Sequence, residues 1–147
     1  MPEWKTLPPL FERSALHPAA VAAAGDTPAD GGWCLAFSGG ADSLALLLSV
    51  WNLWPERRPR LTALHFNHGL RGPASDGDET FCREVCGSLG VAFRSARWEN
   101  PPERPGEAEA REARQAFFVR EMKSLGAMVL WTGHQKDDIA ETQLMRL

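Results

Sequence analysis

The sequence predicts an α/β domain: an open, largely parallel sheet with helices on both faces. Two observations carry this. Short apolar runs alternate with longer segments of helical spacing, four times over from Trp33 onward, and strand–helix units repeated in that order build parallel sheets. A turn, Ser38-Gly39-Gly40-Ala41, follows the first apolar run and opens the first helical segment. In open sheets, ligands bind in loops of this kind, beyond the carboxyl ends of the strands.

The elements follow in order. Residues 1–30 read as an N-terminal extension: Leu10 to Ala24 has helical spacing broken at Pro18, and Gly25 to Gly32 collects turn formers. Trp33 to Phe37 is a short apolar run that predicts a buried strand. Asp42 to Trp54 predicts a helix, with Leu44, Leu47, Leu48 and Trp51 on one face, and Pro55 to Pro59 ends it. Arg60 to Phe66 predicts a second strand and Asn67 to Ala74 a Gly/Pro loop. Ser75 to Leu89 predicts a helix with Ser75 as its N-cap and Asp76, Asp78 and Glu79 in its first turn. Val91 to Trp98 predicts a third strand. Gly106 to Leu125 predicts a helix supported by Glu107–Arg111 at i,i+4. Ala127 to Thr132 predicts a fourth strand, and Gly133 opens a helix still running at Leu147.

Length and composition set bounds on function. At 147 residues the chain suits one domain. A net charge of −3 argues against an overall basic nucleic-acid clamp. No run approaches the ~18 apolar residues of a membrane span, so no membrane partner is expected, and the start lacks the form of a signal peptide. Three cysteines, Cys34, Cys82 and Cys86, are too few and odd in number for a disulfide scaffold, and a reducing cytoplasm is the expectation. Cys82 and Cys86, one turn apart, read as core, as do Trp33, Trp51, Trp54 and Trp131.

Three loops fall at the carboxyl ends of strands: 38–43, 67–72 and 133–138. In the first, two glycines let the backbone approach an anion, and the Ser38 and Ser43 hydroxyls with the free N–H groups of the helix start suit phosphate oxygens. Asp42 would repel phosphate without a cation between them, so it reads as a Mg²⁺ contact. The plainer alternative is a Gly-Gly turn with a capping Asp. The loop is neither a Walker A sequence nor GxGxxG. In the third loop, a helix beginning near His134 sets His134 and Asp138 at i,i+4 and Asp138 and Glu141 at i,i+3. That face suits Mg²⁺ or an ammonium-bearing substrate, or simply the helix dipole. Arg111 and Arg114 share a face at i,i+3. A guanidinium there suits phosphate, and a solvated face paired to Glu107 and Glu109 is the alternative.

The hexapeptide Ser38-Gly39-Gly40-Ala41-Asp42-Ser43 resembles the SGGxDS loop of N-type ATP pyrophosphatases. With His65-Phe66-Asn67-His68-Gly69-Leu70-Arg71, Ala110-Arg111-Glu112-Ala113-Arg114 and Gly133-His134-Gln135-Lys136-Asp137-Asp138-Ile139-Ala140-Glu141-Thr142, in this order, the chain is similar to the tRNA(Ile)-lysidine synthetases over about residues 33–147. The resemblance implies a Rossmann-like, PP-loop catalytic domain over 31–147. It implies adenylation by ATP of the C2 oxygen of the wobble cytidine in an isoleucine tRNA with a CAU anticodon, followed by displacement of AMP by free lysine. ATP would meet Phe37, Ser38, Gly39, Gly40, Ala41, Asp42, Ser43, His65, Asn67 and Gly133. Lysine would meet His134, Asp138 and Glu141; tRNA would meet Arg71 and Arg111. Mg²⁺ would meet Asp42 and Asp138, with Asp42, Arg114 and Asp138 catalytic. A homodimer is left open. Two departures stand out: Gln135 replaces the family's usual histidine, and the chain stops inside the last motif, as expected of a piece of a longer protein. A tRNA-thiolating enzyme of the same superfamily and a non-catalytic ATP-binding remnant are the competing readings. The first expects paired CxxC cysteines, which Cys82 and Cys86 do not supply.

Overall fold

The computed structural model describes residues 18–28, 30–70, 72–136 and 139–146. Five strands form one sheet in the order β3-β2-β1-β4-β5. These are β1 (Gly32–Ala36), β2 (Leu61–Asn67), β3 (Ala92–Arg97), β4 (Ala127–Lys136) and β5 (Ile139–Arg146), alternating with helices α1 (Pro18–Gly25), α2 (Ala41–Leu53), α3 (Pro73–Leu89) and α4 (Glu107–Leu125). The first four strands are mutually parallel, and β5 is antiparallel to β4. The expected parallel α/β sheet is therefore present.

Side-chain alternation along the strands divides the core in two. Trp33, Leu35, Phe37, Ala63, Val129 and Trp131 pack with α2 and α3 on one face. Cys34, Leu64 and Leu130 pack with Phe117, Phe118 and Met122 of α4 on the other. Right-handed crossovers require this division. The chain moves outward through β1, β2 and β3 and then returns past β1 to β4, so the last connection crosses the opposite face. The reversal falls between β1 and β4, the position at which an open sheet forms its ligand crevice.

Two expectations are corrected. A third, a helix over Leu10 to Ala24 broken at Pro18, turns on residues 10–17, which lie outside the described residues; the part that is described, Pro18–Gly25, is helical. Helix α3 starts at Pro73 with Gly72 as its N-cap, so Ser75 is a buried first-turn residue and not the cap. The helix expected from Gly133 is absent. Strand β4 continues to Lys136 and β5 returns along it, pairing from Lys136↔Ile139 to Val129↔Arg146. The helical spacing of the motif is a local preference. The ladder along β4 satisfies a whole row of backbone N–H and C=O groups, and that tertiary pairing prevails.

Candidate functional site

The cavity opens where the reversal predicts, with a volume of about 610 Å³, within the range of small-molecule sites. Its floor is the carboxyl end of β1 and the turn after it. Gly40 caps α2 in extended conformation. The Ser43 hydroxyl donates to the Gly40 carbonyl (3.1 Å), so the Ser38 hydroxyl donates to Ser43 Oγ (3.0 Å). Gly40 N–H donates in turn to Ser38 Oγ and Ser38 N–H to Ser43 Oγ, both at 3.2 Å. The two hydroxyls that the sequence offered to phosphate thus also knit the loop into a closed ring. Ser43 is buried and Ser38 exposed, so Ser43 mainly sets the shape of the loop while Ser38 faces the solvent side. Gly39 sits at φ +93°, where a Cβ would lie 3.2 Å from Cys82 Sγ. Glycine is required there for both backbone and space.

The second wall is the end of β2. His65 is buried, its Nδ1 2.8 Å from the Phe37 carbonyl. Asn67 lines the cavity, but its amide is committed: Nδ2 donates to Asp76 (2.9 Å) and Glu79 (3.2 Å), and Oδ1 accepts from Gly69 N–H (2.9 Å). Asp76 is also paired with Arg97. Asn67 therefore anchors the loop that follows it to α3. Burial opposes ionisation of Glu79, yet the hydrogen bonds from Asn67 and Arg83 outweigh it and hold that carboxyl below its ordinary range.

The third wall is α4. Arg111, Arg114, Gln115 and Phe118 line the cavity, at the i, i+3, i+4, i+7 spacing of one helical face. Burial, with Arg111 nearby, lowers the pKa of Arg114, a cost that an anion in the cavity would relieve. Gly133 and Thr132 close the side next to β1.

Of the residues singled out in the sequence, Phe37, Ser38, Gly39, Gly40, Ser43, His65, Asn67, Arg111, Arg114 and Gly133 meet around this one cavity. Ala41 and Asp42 stand in the first turn of α2 and are not on its wall. His134 and Glu141 are register partners across the β4–β5 hairpin instead of neighbours on a helix. Arg71 and Asp138 lie outside the described residues. Sequence reasoning missed Asp78, Ser75, Gln115 and Phe118, all on the cavity wall. A helical-face reading carried on from Arg111 would have found Gln115 and Phe118. Asp78, three residues past Ser75, was assigned only to a helix dipole; its Cβ lies 3.8 Å from the point where a Gly39 Cβ would stand.

Among the described residues no three His, Cys, Asp or Glu side chains converge to cage a metal ion. The oxygen donors beside the turn are the Asp78 carboxylate and the Ser38 and Ser43 hydroxyls. This donor set suits Mg²⁺ carried in on substrate phosphates, which needs only one or two carboxylates from protein. No helix among the described residues is long and apolar enough to cross a membrane.

The family described as PP-loop domain matches residues 16–147. Curated relatives are tRNA(Ile)-lysidine synthases. That of Pseudomonas aeruginosa is 43% identical over 118 residues, covering 80% of this chain and 26% of its own. That of Enterococcus faecalis is 40% identical over 114 residues, covering 77% and 24%. That of Chlorobaculum tepidum is 38% identical over 118 residues, covering 77% and 36%. The chain thus spans about a quarter to a third of the length of these relatives. Among solved structures, the U34-tRNA thiolase NcsA from Methanococcus maripaludis, with its [4Fe-4S] cluster, superposes with a TM-score of 0.65 at 19% identity, covering 84% of this chain and 42% of that one. That likeness is one of fold.

Proposed function

Because the chain belongs to the PP-loop domain family, we propose that it is the nucleotide-binding part of a cytoplasmic tRNA(Ile)-lysidine synthase. On this reading the C2 oxygen of the wobble cytidine attacks the α-phosphorus of ATP and pyrophosphate leaves. The ε-amino group of free lysine then attacks C2 and AMP leaves. The observation that carries the reading is the cavity itself, with a closed phosphate-type loop on one wall and two arginines on the facing helix.

Each residue has a share. The free backbone N–H groups at the start of α2 hold the pyrophosphate portion of ATP, and the exposed Ser38 hydroxyl exchanges its bond to Ser43 for one to a phosphate oxygen. Phe37, His65, Asn67 and Gly133 bound the adenosine side. Arg114 meets the charge that builds up on phosphorus during adenylyl transfer. Arg71 and Arg111 take RNA phosphates. His134, Asp138 and Glu141 receive lysine, whose two cationic groups need carboxylate partners. Mg²⁺ carried in on the phosphates would supply charge neutralisation and would be met by Asp78 on the cavity wall, with Asp42 and Asp138 as the further protein contacts that the motif match suggests.

The thiolation reading is less well supported. Cys34 packs on the α4 face of the sheet and Cys82 and Cys86 on the other, so these three thiols cannot gather on one cluster. Burial also pushes each of them up to about 12, far from the thiolate that cluster ligation needs.

The test is made on the full-length protein with an isoleucine tRNA bearing a CAU anticodon. The expected result is ATP-dependent pyrophosphate release and entry of labelled lysine into the tRNA. Sulfur entering in its place establishes thiolation, and ATP binding with no pyrophosphate release establishes a remnant. Glu141→Gln removes one charge-assisted hydrogen bond of roughly 1.5–3 kcal/mol and should raise the lysine requirement about tenfold or more. Asp138→Asn should impair pyrophosphate release as well. Sedimentation of the same sample separates monomer from homodimer.

A further inference from the structure

We propose that His65 and Cys82 are positioning residues that together fix where the phosphate loop begins, by donating both their protons to one backbone carbonyl, that of Phe37. The proposal deepens the reading of 38–43 as the loop that holds ATP phosphates and rests on it.

Phe37 is the residue at which β1 stops being a strand. Its N–H still donates to the Leu64 carbonyl at 2.8 Å, the last rung shared with β2. Its own carbonyl leaves the ladder as the chain turns into Ser38. Phe37 is buried, and a buried carbonyl without a donor is costly. Two side chains supply the donors. His65 Nδ1 lies 2.8 Å from the oxygen. A carbonyl can only accept, so Nδ1 carries the proton, and in the neutral ring Nε2 is the acceptor. Cys82 Sγ lies 3.6 Å from the same oxygen and 3.6 Å from Nδ1. With Nδ1 already protonated, the ring nitrogen cannot accept, and the thiol proton goes to the carbonyl. Burial pushes the Cys82 thiol up to about 12, which keeps that proton in place.

Both donors are themselves fixed. His65 sits in β2, its ring stacked near Phe93 at 6.4 Å between centroids. Cys82 is fully buried in α3 and forms the floor under Gly39, as the 3.2 Å approach described above shows. The arrangement ties β2 and α3 to the first peptide of the loop, so the loop is held from below before any ligand arrives. Neither residue touches a reacting atom.

Three measurements on the protein test this. Nitrogen-15 spectra of the imidazoles should show His65 protonated at Nδ1 and bare at Nε2. In substitutions, an Asn amide reaches the position of Nδ1 and a Gln amide that of Nε2. His65→Gln should therefore weaken ATP binding about five- to hundredfold and speed amide exchange across 38–43, with His65→Asn losing clearly less in both. Cys82→Ser, which keeps a donor, should likewise lose less than Cys82→Ala. An Nε2–H tautomer overturns the proposal. So does an equal loss in His65→Asn and His65→Gln, or unchanged exchange at 38–43 in His65→Gln. Should the unsubstituted protein fail to bind ATP, the nucleotide reading falls by itself, while the tautomer and the exchange rates still decide the role of His65.

Discussion

The seam between β1 and β4 is held by different forces beneath the sheet and at its carboxyl edge. Beneath it, Trp33, Trp54 and Trp131 pack with ring centroids 5.4–5.5 Å apart. The Arg57 guanidinium lies 4.8 Å from the Trp33 ring and donates to the Thr27 and Pro28 carbonyls at 2.6 Å. The indole N–H groups of Trp33 and Trp131 have no hydrogen-bond partner among the described residues. The area buried by two large rings outweighs that loss. At the carboxyl edge hydrogen bonds carry more of the work: Ser38, Gly40 and Ser43 bond one another within the loop, His65 bonds the Phe37 carbonyl, and Asn67 reaches across to Asp76 and Glu79 of α3. Bulk apolar burial fixes the fold, and directional bonds fix the site. The two meet at only a few side chains: Phe37 and Phe118 belong to the apolar core and also line the cavity, and Cys82 packs in the core directly beneath Gly39.

The largest effect should come from the tryptophans. Trp33→Ala should cost about 3–5 kcal/mol by denaturant unfolding, while the fraction still folded binds ATP as before. A parallel loss of affinity would show that the two regions are not separable. Asn67→Ala should cost less, about 1–3 kcal/mol, because it leaves the Gly69 N–H without its acceptor and removes one hydrogen bond each from Asp76 and Glu79, which keep Arg97 and Arg83. Amide exchange should then rise at 67–72 and not at the tryptophans. Gly39→Ala should cost about 1–2 kcal/mol through backbone strain and the Cys82 contact, with a disproportionate fall in ATP affinity. The smallest effect concerns pH. The Glu79 carboxyl is held below its unfolded value by Asn67 and Arg83, against burial. Its contribution is therefore present above the unfolded value, about pH 4.3, and is lost as pH falls through the folded one. Glu79→Gln should flatten the acid limb of a stability–pH curve below about pH 4.

This division also governs what could be read from the sequence. The first four strands and the three helices between them were legible because apolar spacing reports burial directly, and Trp33, Trp131, Cys82 and Cys86 behave as that spacing says. The glycine turn was legible because few other residues tolerate its backbone. The segment after Gly133 was not, because its state depends on pairing with an open strand edge, and no local preference encodes that. Asp78 was hidden for a related reason: its first-turn position fits a helix dipole equally well, and only the crossover that lays α3 beside the turn turns its side chain toward the cavity. The double use of Ser43, in shaping and in binding, also needs coordinates, since a hydroxyl names no partner.

The central place of β1 has a consequence for synthesis on the ribosome. One edge of β1 is paired as soon as β2 follows, but the other waits for β4, about ninety residues later. At 5–20 residues per second that wait is on the order of 5–20 s. During it an apolar strand, Gly32 to Ala36, presents an unpaired edge of the kind that recruits other chains. Slow codons between Asn67 and Gly126 would lengthen the exposure, and the yield of soluble protein should respond to them more than to the same codons placed before Gly32.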